Sequence, residues 1–140
     1  IPAKALELGY RTSVIPKNGW IVLGAVLQLK KGDQEQILAR MEELKEQRIT
    51  KQPLDLPSAG STFKRPEGHY AGKLIEDAGL KGYRVGDAQV SEKHCGFVVN
   101  RGEATAEDVK KLIRDVQDKV WDEFQVKLEP EVRIIPENGL

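Results

Sequence analysis

The chain has 140 residues, of which 39% are hydrophobic and 31% charged, and its 22 Lys and Arg residues balance 22 Asp and Glu residues. This composition is typical of a globular domain, and the length suffices for a proper hydrophobic core. Proteins that bind nucleic acids or membrane surfaces through charge usually carry a basic excess. The zero net charge therefore argues against both classes.

The chain has a single cysteine, Cys95, which excludes an internal disulfide and is typical of a reducing, cytoplasmic compartment. The two histidines, His69 and His94, form no ligand pair with it at a metal-binding spacing, so we expect no metal site. No stretch approaches the roughly 20 apolar residues of a membrane span, and no signal-peptide pattern is present. We therefore expect no membrane segment.

The first predicted elements form a β-hairpin. Residues 10–15 and the apolar run 20–29 are predicted strands, because the Asn-Gly pair between them is typical of a hairpin turn. Asp33 is the predicted N-cap of a helix, with Gln36 three residues later. The apolar residues of this helix recur at helical spacing and are predicted to face a core: Ile37, Leu38, Met41 and Leu44.

Residues 48–69 lose this periodicity and are rich in Pro, Gly and Ser, which predicts a long loop. Long loops in compact domains are often functional, so this segment is the first place to look for a site. A short helix is predicted at 70–78, ended by Gly79. Short strands are predicted at 83–85, 88–90 and 97–99.

Thr105 is the predicted N-cap of a second long helix, with an apolar face that includes Leu112 and Val116. In residues 126–135, mainly apolar and mainly charged positions alternate, which predicts a strand. Pro130 places that strand at a sheet edge or a bulge. The mixture of helices and strands without strict βαβ alternation predicts an α+β fold. We expect a mixed or antiparallel sheet with two to three packed helices.

Known phosphate-loop and dinucleotide patterns are missing from the sequence, because its closely spaced glycines do not match either motif. His94 and Cys95 are adjacent, and adjacent residues in an extended segment point to opposite faces, so they do not form a catalytic pair. Cys95 is predicted to be a small buried hydrophobe. His94 then points toward the surface or a cleft, where it either meets a ligand or is merely exposed.

The loop 57–66 carries the residues best suited to chemistry. Gly60 permits an unusual backbone angle directly before Ser61, so this serine is able to project from a tight turn. Lys64 and Arg65 follow at a spacing suited to an anionic group, although a surface turn with two solvated cations is the alternative. Glu131 shares a predicted strand face with charged neighbours, so an exposed ion pair is the simpler interpretation of that residue.

Several separated segments together resemble one family, the UDP-N-acetylenolpyruvoylglucosamine reductases, flavoenzymes of bacterial peptidoglycan precursor synthesis, cell-wall biogenesis, cell shape and cell division. The resemblance lies in Y-R-x-S, A-G-S-x-F-K and E-P-E-V-R, which occur here in the family's order. The matching segments cover nearly the whole chain: residues 9–13 with 19–23, 57–66, 71–76 with 79–82, and 128–134.

The resemblance implies that an enolpyruvyl ether, UDP-N-acetylglucosamine enolpyruvate, is reduced to UDP-N-acetylmuramate. NADPH reduces FAD, and the flavin then delivers a hydride to C3 of the enolpyruvyl group. Arg11 is expected to stabilise the enolate-like charge, Ser61 to protonate C2 as a general acid, and Glu131 to orient or help donate a proton. The implied substrate-binding residues are Tyr10, Lys64, Arg65, Lys81 and His94.

The resemblance also implies a division of the chain. Residues 1–31 are expected to be the last strands of an FAD-binding domain, 32–135 the substrate-binding domain and 136–140 a tail. Only residues 30–33 link the predicted strand to the next helix, which excludes the family branch with a tyrosine-bearing loop for the UDP diphosphate. Lys64 and Arg65 are then our candidates for holding the diphosphate.

The rest of the FAD-binding domain is expected to be this chain's partner, so the chain alone is expected to be inactive. One rival interpretation is a non-catalytic module that binds a sugar nucleotide or a protein. Such a module has no need for Arg11, Ser61 and Glu131 together, so their co-occurrence argues against it. A nucleic-acid-binding domain ranks last, given the zero net charge and 6% aromatic residues.

Overall fold

The computed structural model of the chain describes residues 1–9 and 12–135. The chain divides into two compact units, Ile1–Ile37 and Leu38–Leu140. The predicted domain division after residue 31 stays a prediction. Tyr10, Arg11 and the predicted tail 136–140 lie outside the described residues.

The first unit does not contain the predicted hairpin. It has a 3₁₀ turn at Ala3–Leu6 and a four-residue helix, α1, at Val14–Lys17, where Ser13 Oγ accepts a hydrogen bond from the Ile15 amide at 3.2 Å. No strand forms in residues 20–29, and Leu23 in this run is 97% exposed. A strand needs a neighbouring strand to satisfy its backbone groups, and the described residues provide none here.

Helix α2 spans Gln34–Lys51 and begins as predicted, with Asp33 Oδ1 accepting a hydrogen bond from the Gln36 amide at 2.9 Å. The prediction that its apolar face lies in a core is wrong. None of its residues is buried, and Met41 is 61% exposed. Helical spacing indicates that a helix has an apolar face, but it does not indicate which surface covers that face. None of the described helices combines the length and the apolar character that a membrane span requires.

The second unit is built on a four-stranded sheet, and the predicted α+β class is confirmed. Its strands are β1 at Ser58–Ser61, β2 at Arg84–Val85, β3 at Ala88–Val90 and β4 at Phe97–Asn100. All neighbours are antiparallel, in the order β1-β4-β3-β2. The last three strands match their predictions closely.

Strand β1 and the end of α2 lie within the segment predicted to be a loop, so that prediction is wrong at both places. In β1, Ser58 lies opposite Val99 and Ser61 lies opposite Phe97, with an irregular register between the two pairs. Gly60 occupies this irregularity with a φ of +91°, a conformation that favours glycine. Pairing with a strand almost forty residues away has no local signal in the sequence.

Helix α4 packs against strands β2 and β3 of this sheet, and helix α3 packs against α4. Helix α3 spans Ala71–Asp77 and is followed by Gly79 at a φ of +72°, as predicted. Helix α4 spans Ala106–Phe124, and Thr105 and Asp108 form a capping box at its start. The predicted apolar face of α4 is buried, and the fully buried side chains include Ile75, Val90, Leu112, Val116 and Val120.

The C-terminal segment 126–135 forms a shorter pairing than the predicted strand. A single antiparallel bridge joins Phe63 and Pro130, flanked by hydrogen bonds from Lys64 N to Glu129 O and from Glu131 N to Thr62 O, both 2.8 Å long. Pro130 has no N–H to donate, which limits the ladder. The segment is nevertheless anchored in the core, because Leu128 is only 1% exposed.

This anchoring predicts that Leu128→Ala lowers the free energy of unfolding by about 2–5 kcal/mol, the usual cost of truncating a buried leucine. Leu54→Ala is the matched control, because Leu54 is 53% exposed, and we expect a cost below about 1 kcal/mol. Urea denaturation measures both values. Equal costs for the two variants would show that the C-terminal segment is not part of the core.

Candidate functional site

Ser61 lies at the end of β1 with an exposed side chain. Its hydroxyl donates a hydrogen bond to the Phe63 carbonyl at 3.3 Å. The next residue, Thr62, is 2% exposed and holds the backbone in place. Its amide donates to Gly96 O at 2.8 Å, and its hydroxyl oxygen accepts from Val98 N at 3.0 Å. An exposed hydroxyl thus projects from a backbone that is fixed by the residue behind it.

Glu131 enters the same neighbourhood from the C-terminal segment. Its amide donates to the carbonyl of Thr62, which directly follows Ser61. The structure therefore brings the backbones of two predicted catalytic residues together, although 70 residues separate them in the sequence. The side chain of Glu131 is exposed.

Lys64 and Arg65 line a groove of about 450 Å³. Lys64 Nζ forms an ion pair with Glu129 Oε2 at 2.9 Å. The Arg65 guanidinium lies 4.0 Å from the centre of the Tyr70 ring, and its Nε donates to the His69 carbonyl at 3.3 Å. The groove is lined by Lys64, Arg65, Pro66, Glu67, His69, Gln125, Val126, Lys127 and Glu129.

Electrostatics in this groove favour the charged form of Glu129. The hydrogen bond from Lys64, followed by its positive charge, lowers the pKa of Glu129. The pair therefore stabilises the folded chain above the carboxyl's unfolded pKa, and this stabilisation is lost as the pH falls through the lower folded value. Both side chains remain more than half exposed, at 52% and 62%.

Lys81 does not join the groove. Its Nζ donates a hydrogen bond to Glu76 Oε1 at 3.1 Å. This hydrogen bond, followed by the charge of Glu76, raises the pKa of Lys81. Cys95 is buried as predicted, and burial raises the pKa of its thiol, which is the opposite of what a nucleophilic cysteine needs.

His94 is exposed, as predicted for the neighbour of a buried cysteine. Its Nδ1 accepts a hydrogen bond from the Gly96 amide at 3.0 Å, and its ring packs edge-on against Phe97 with the centroids 5.0 Å apart. Phe97 is the β4 residue opposite Ser61. His94 therefore contacts the residue that lies opposite Ser61 in the sheet.

A second cavity of about 950 Å³ was not predicted from the sequence. It lies between β1, β4, the first half of α4 and residues 132–135, with a mainly apolar lining that includes Val98, Val109, Ile113 and Ile134. Neither Ser61 nor Lys64 lines it. Within the described residues, no group of three or more His, Cys, Asp or Glu side chains is arranged to hold a metal.

Sequence reasoning missed the groups that hold the site together. The sequence predicts a role for Glu131 but none for Glu129, because its partner Lys64 comes from a distant loop. Thr62 and Gly96 were not singled out, because their hydrogen bond joins strands that pair non-locally. The burial of Thr62 has no recognisable signal in the sequence around it.

Comparison with known proteins gives a consistent result. The family described as "UDP-N-acetylenolpyruvoylglucosamine reductase, C-terminal domain" matches residues 52–135. UDP-N-acetylenolpyruvoylglucosamine reductases of Lachnoclostridium phytofermentans and Agathobacter rectalis are 64% and 62% identical to this chain over 132 residues. These alignments cover 94% of this chain but only 43% and 42% of the relatives, so the chain spans less than half of either.

A solved structure is also similar. The crystal structure of UDP-N-acetylenolpyruvylglucosamine reductase from Thermus caldophilus matches with a TM-score of 0.74 and 44% sequence identity. The match covers 94% of this chain and 47% of that protein.

The groove's electrostatics predict that Lys64→Met raises the pKa of Glu129 toward its ordinary value, because the dominant hydrogen bond and the nearest charge are both removed. Lys127→Met is the matched control, since Lys127 acts on Glu129 only through a weaker charge effect. Carbon-13 NMR of the carboxyl during a pH titration measures both changes. A similar rise in both variants would rule out a specific Lys64–Glu129 pair.

Proposed function

We propose that this chain is the substrate-binding part of a UDP-N-acetylenolpyruvoylglucosamine reductase, because the chain belongs to that family, whose C-terminal domain matches residues 52–135. The activity proposed for the whole enzyme is reduction of UDP-N-acetylglucosamine enolpyruvate to UDP-N-acetylmuramate, an oxidoreductase reaction of peptidoglycan synthesis. One observation carries the proposal. The Glu131 amide donates a hydrogen bond to the carbonyl of Thr62, the residue after Ser61, and this bond brings the two segments together.

The cofactors in this proposal are FAD and NADPH, which would supply the hydride. The described residues do not fit either dinucleotide, because no glycine-rich turn leads from a strand into the start of a long helix. Gly79, Gly82 and Gly86 lie between α3 and β3, and α3 itself has only seven residues. We therefore assign both cofactors to the N-terminal domain of the enzyme, and the residues of this chain act on the substrate.

In this proposal Ser61 is the general acid that gives a proton to C2 of the substrate. A general acid must lie within hydrogen-bonding reach of its target, and the exposure of the Ser61 hydroxyl supports this role because a substrate can approach it. Its 3.3 Å bond to the Phe63 carbonyl is long, so the hydroxyl turns toward a substrate at little cost. Glu131 orients the intermediate or helps to donate a proton.

Arg11, together with Tyr10, is proposed to bind the substrate carboxylate. Negative charge develops there as the enolate-like intermediate forms, and a nearby guanidinium stabilises it more in the transition state than in the ground state. Lys81 and His94 are proposed as further substrate contacts. We place the reaction in the cytoplasm, where a free cysteine such as Cys95 stays reduced.

The groove with Lys64 and Arg65 is proposed to hold the UDP diphosphate. Arg65 is pre-positioned by Tyr70 and by the His69 carbonyl, which reduces the entropy lost on binding. Lys64 already pairs with Glu129, but an exposed ion pair contributes little to stability. Lys64 therefore exchanges a carboxylate oxygen for a diphosphate oxygen at small cost.

The general-acid role predicts a selective defect in Ser61→Ala, studied in a full-length reductase that contains this chain. Flavin reduction by NADPH stays normal, because Ser61 does not take part in it. Single-turnover reoxidation of the flavin by substrate slows by about 10²–10⁴-fold, the usual range for losing a general acid. Stopped-flow absorbance separates the two half-reactions.

Thr50→Ala, which removes an exposed hydroxyl from helix α2, is the matched control and is expected to change reoxidation little. Reoxidation of Ser61→Ala within about threefold of the wild-type rate contradicts the general-acid role, because general acids contribute far more than this. A full-length protein with neither half-reaction favours the rival of a non-catalytic binding module.

The diphosphate role predicts that the double variant Lys64→Met, Arg65→Met binds UDP at least about tenfold more weakly, because charge-assisted hydrogen bonds are lost. Lys119→Met is the control, since Lys119 also pairs with a carboxylate, Glu123, but does not line the groove. Calorimetry at two salt concentrations is the measurement. Unchanged UDP affinity in the double variant would assign the diphosphate to other residues.

A further inference from the structure

Helix α4 is followed by a residue whose backbone conformation is unusual for its type. Gln125 has a φ of +55° and a ψ of 27°, in the left-handed region. Glycine is the usual residue at this position of a helix end, because a Cβ atom makes the conformation costly. Strained residues of this kind concentrate at functional sites, so the side chain of Gln125 is a candidate for a function.

The backbone at Gln125 is held in place on both sides. Phe124 and Val126 are partly buried and pack against the hydrophobic core of the second unit. The Gln125 amide donates to the Trp121 carbonyl at 2.9 Å, the hydrogen bond that normally closes such a helix end. A glycine at position 125 would make the same bond without the strain, so the end of the helix does not require a glutamine.

The side-chain amide of Gln125 is held by the same carbonyl. Its Nε2 donates to Trp121 O at 2.8 Å. A carbonyl oxygen only accepts hydrogen bonds, so the nitrogen of the side-chain amide, and not its oxygen, lies at this contact. An NH2 group has two N–H donors, and this bond uses one of them. Among the residues that the structure describes, the second N–H has no acceptor.

Gln125 lines the groove that contains Lys64 and Arg65. Three Lys and Arg side chains and two Glu side chains line this groove, which leaves an excess of one positive charge. An anion is therefore favoured there. The amide of Gln125 adds a neutral donor for that anion, and this donor does not pair with a carboxylate as Lys64 does.

We propose that Gln125 is a further ligand-binding residue of this groove, and that the second N–H of its amide donates a hydrogen bond to a phosphate oxygen of a bound diphosphate. The bond to Trp121 holds the amide in place before the ligand arrives, which reduces the entropy lost on binding. The identity of the ligand rests on the proposed function. Glutamine at this position supplies a donor that an unstrained glycine does not have.

The test compares two variants that both remove the amide, in a full-length reductase that contains this chain. Gln125→Gly also relieves the strain, whereas Gln125→Ala keeps a Cβ atom in the left-handed conformation. We expect both variants to bind UDP about tenfold more weakly, the effect of losing one hydrogen bond to a charged group. Calorimetry measures the affinity. Inorganic pyrophosphate should show the same loss, because the acceptor is a phosphate oxygen.

Thermal unfolding of the 140-residue chain separates this role from a general disturbance of the fold. Gln125→Gly should raise the midpoint by about 2–4 °C, because it relieves the strain. Gln125→Ala should leave the midpoint unchanged or lower it. An equal loss of UDP affinity in a stabilised variant and in one that is not stabilised assigns the effect to the missing amide.

A second pair of variants tests the neutral character of the donor. Gln125→Glu and its matched control Gln47→Glu both replace an amide with a carboxylate of similar shape, but Gln47 lies on α2 and does not line the groove. We expect Gln125→Glu to bind UDP more weakly than Gln125→Gly, because it adds a negative charge beside the ligand, and Gln47→Glu to stay within about twofold of the original affinity. The loss in Gln125→Gly should persist at higher salt, since salt screens charges but does not replace a neutral donor.

UDP affinity within about twofold of the original value in both Gln125→Gly and Gln125→Ala overturns the proposal. So does a loss that appears with UDP but not with inorganic pyrophosphate. Either result leaves the proposed function standing if the double variant Lys64→Met, Arg65→Met still binds UDP more weakly. A full-length reductase that does not bind UDP contradicts both the role of Gln125 and the proposed function.

Discussion

The arrangement of the second unit depends on the hydrogen bonds of one buried residue, Thr62. Its amide bonds to Gly96, its hydroxyl oxygen accepts from Val98, and its carbonyl accepts from Glu131. Three segments that are distant in the sequence therefore meet at one residue. Buried polar groups are costly when unpaired, so each of these bonds constrains the position of its partner segment. This constraint also determines where the exposed groups around Thr62 lie.

Elements with local signals could be predicted from the sequence. Thr105 and Asp108 start α4 through a capping box, and Gly79 ends α3, because both features depend on residues within one turn of the helix. Short runs of strand-forming residues separated by glycines likewise predicted β3 and β4. Strand β1 and the pairing of Phe63 with Pro130 were not predictable in this way, since non-local partners decide both.

The first unit shows a second limit of predicting structure from the sequence. Residues 20–29 are apolar enough to predict a buried strand, yet the described residues leave Leu23 and Val26 almost fully exposed. An apolar run indicates that a segment needs to be covered, but it does not indicate which surface covers it. The same holds for the apolar face of α2. In the candidate site, motif resemblance identified Ser61 and Glu131, whereas the Lys64–Glu129 pair and the His94 contacts follow only from the three-dimensional arrangement.

The anchoring of Thr62 has a consequence for how such a site changes over evolution. The bonds that fix the backbone at Ser61 involve main-chain groups and one buried hydroxyl, and the side chains at positions 64 and 65 do not contribute to them. Substitutions at these two surface positions therefore alter the charge of the groove without displacing the exposed hydroxyl of Ser61. The charge of the groove and the position of the Ser61 hydroxyl are therefore separately adjustable, so one can drift while the other is preserved.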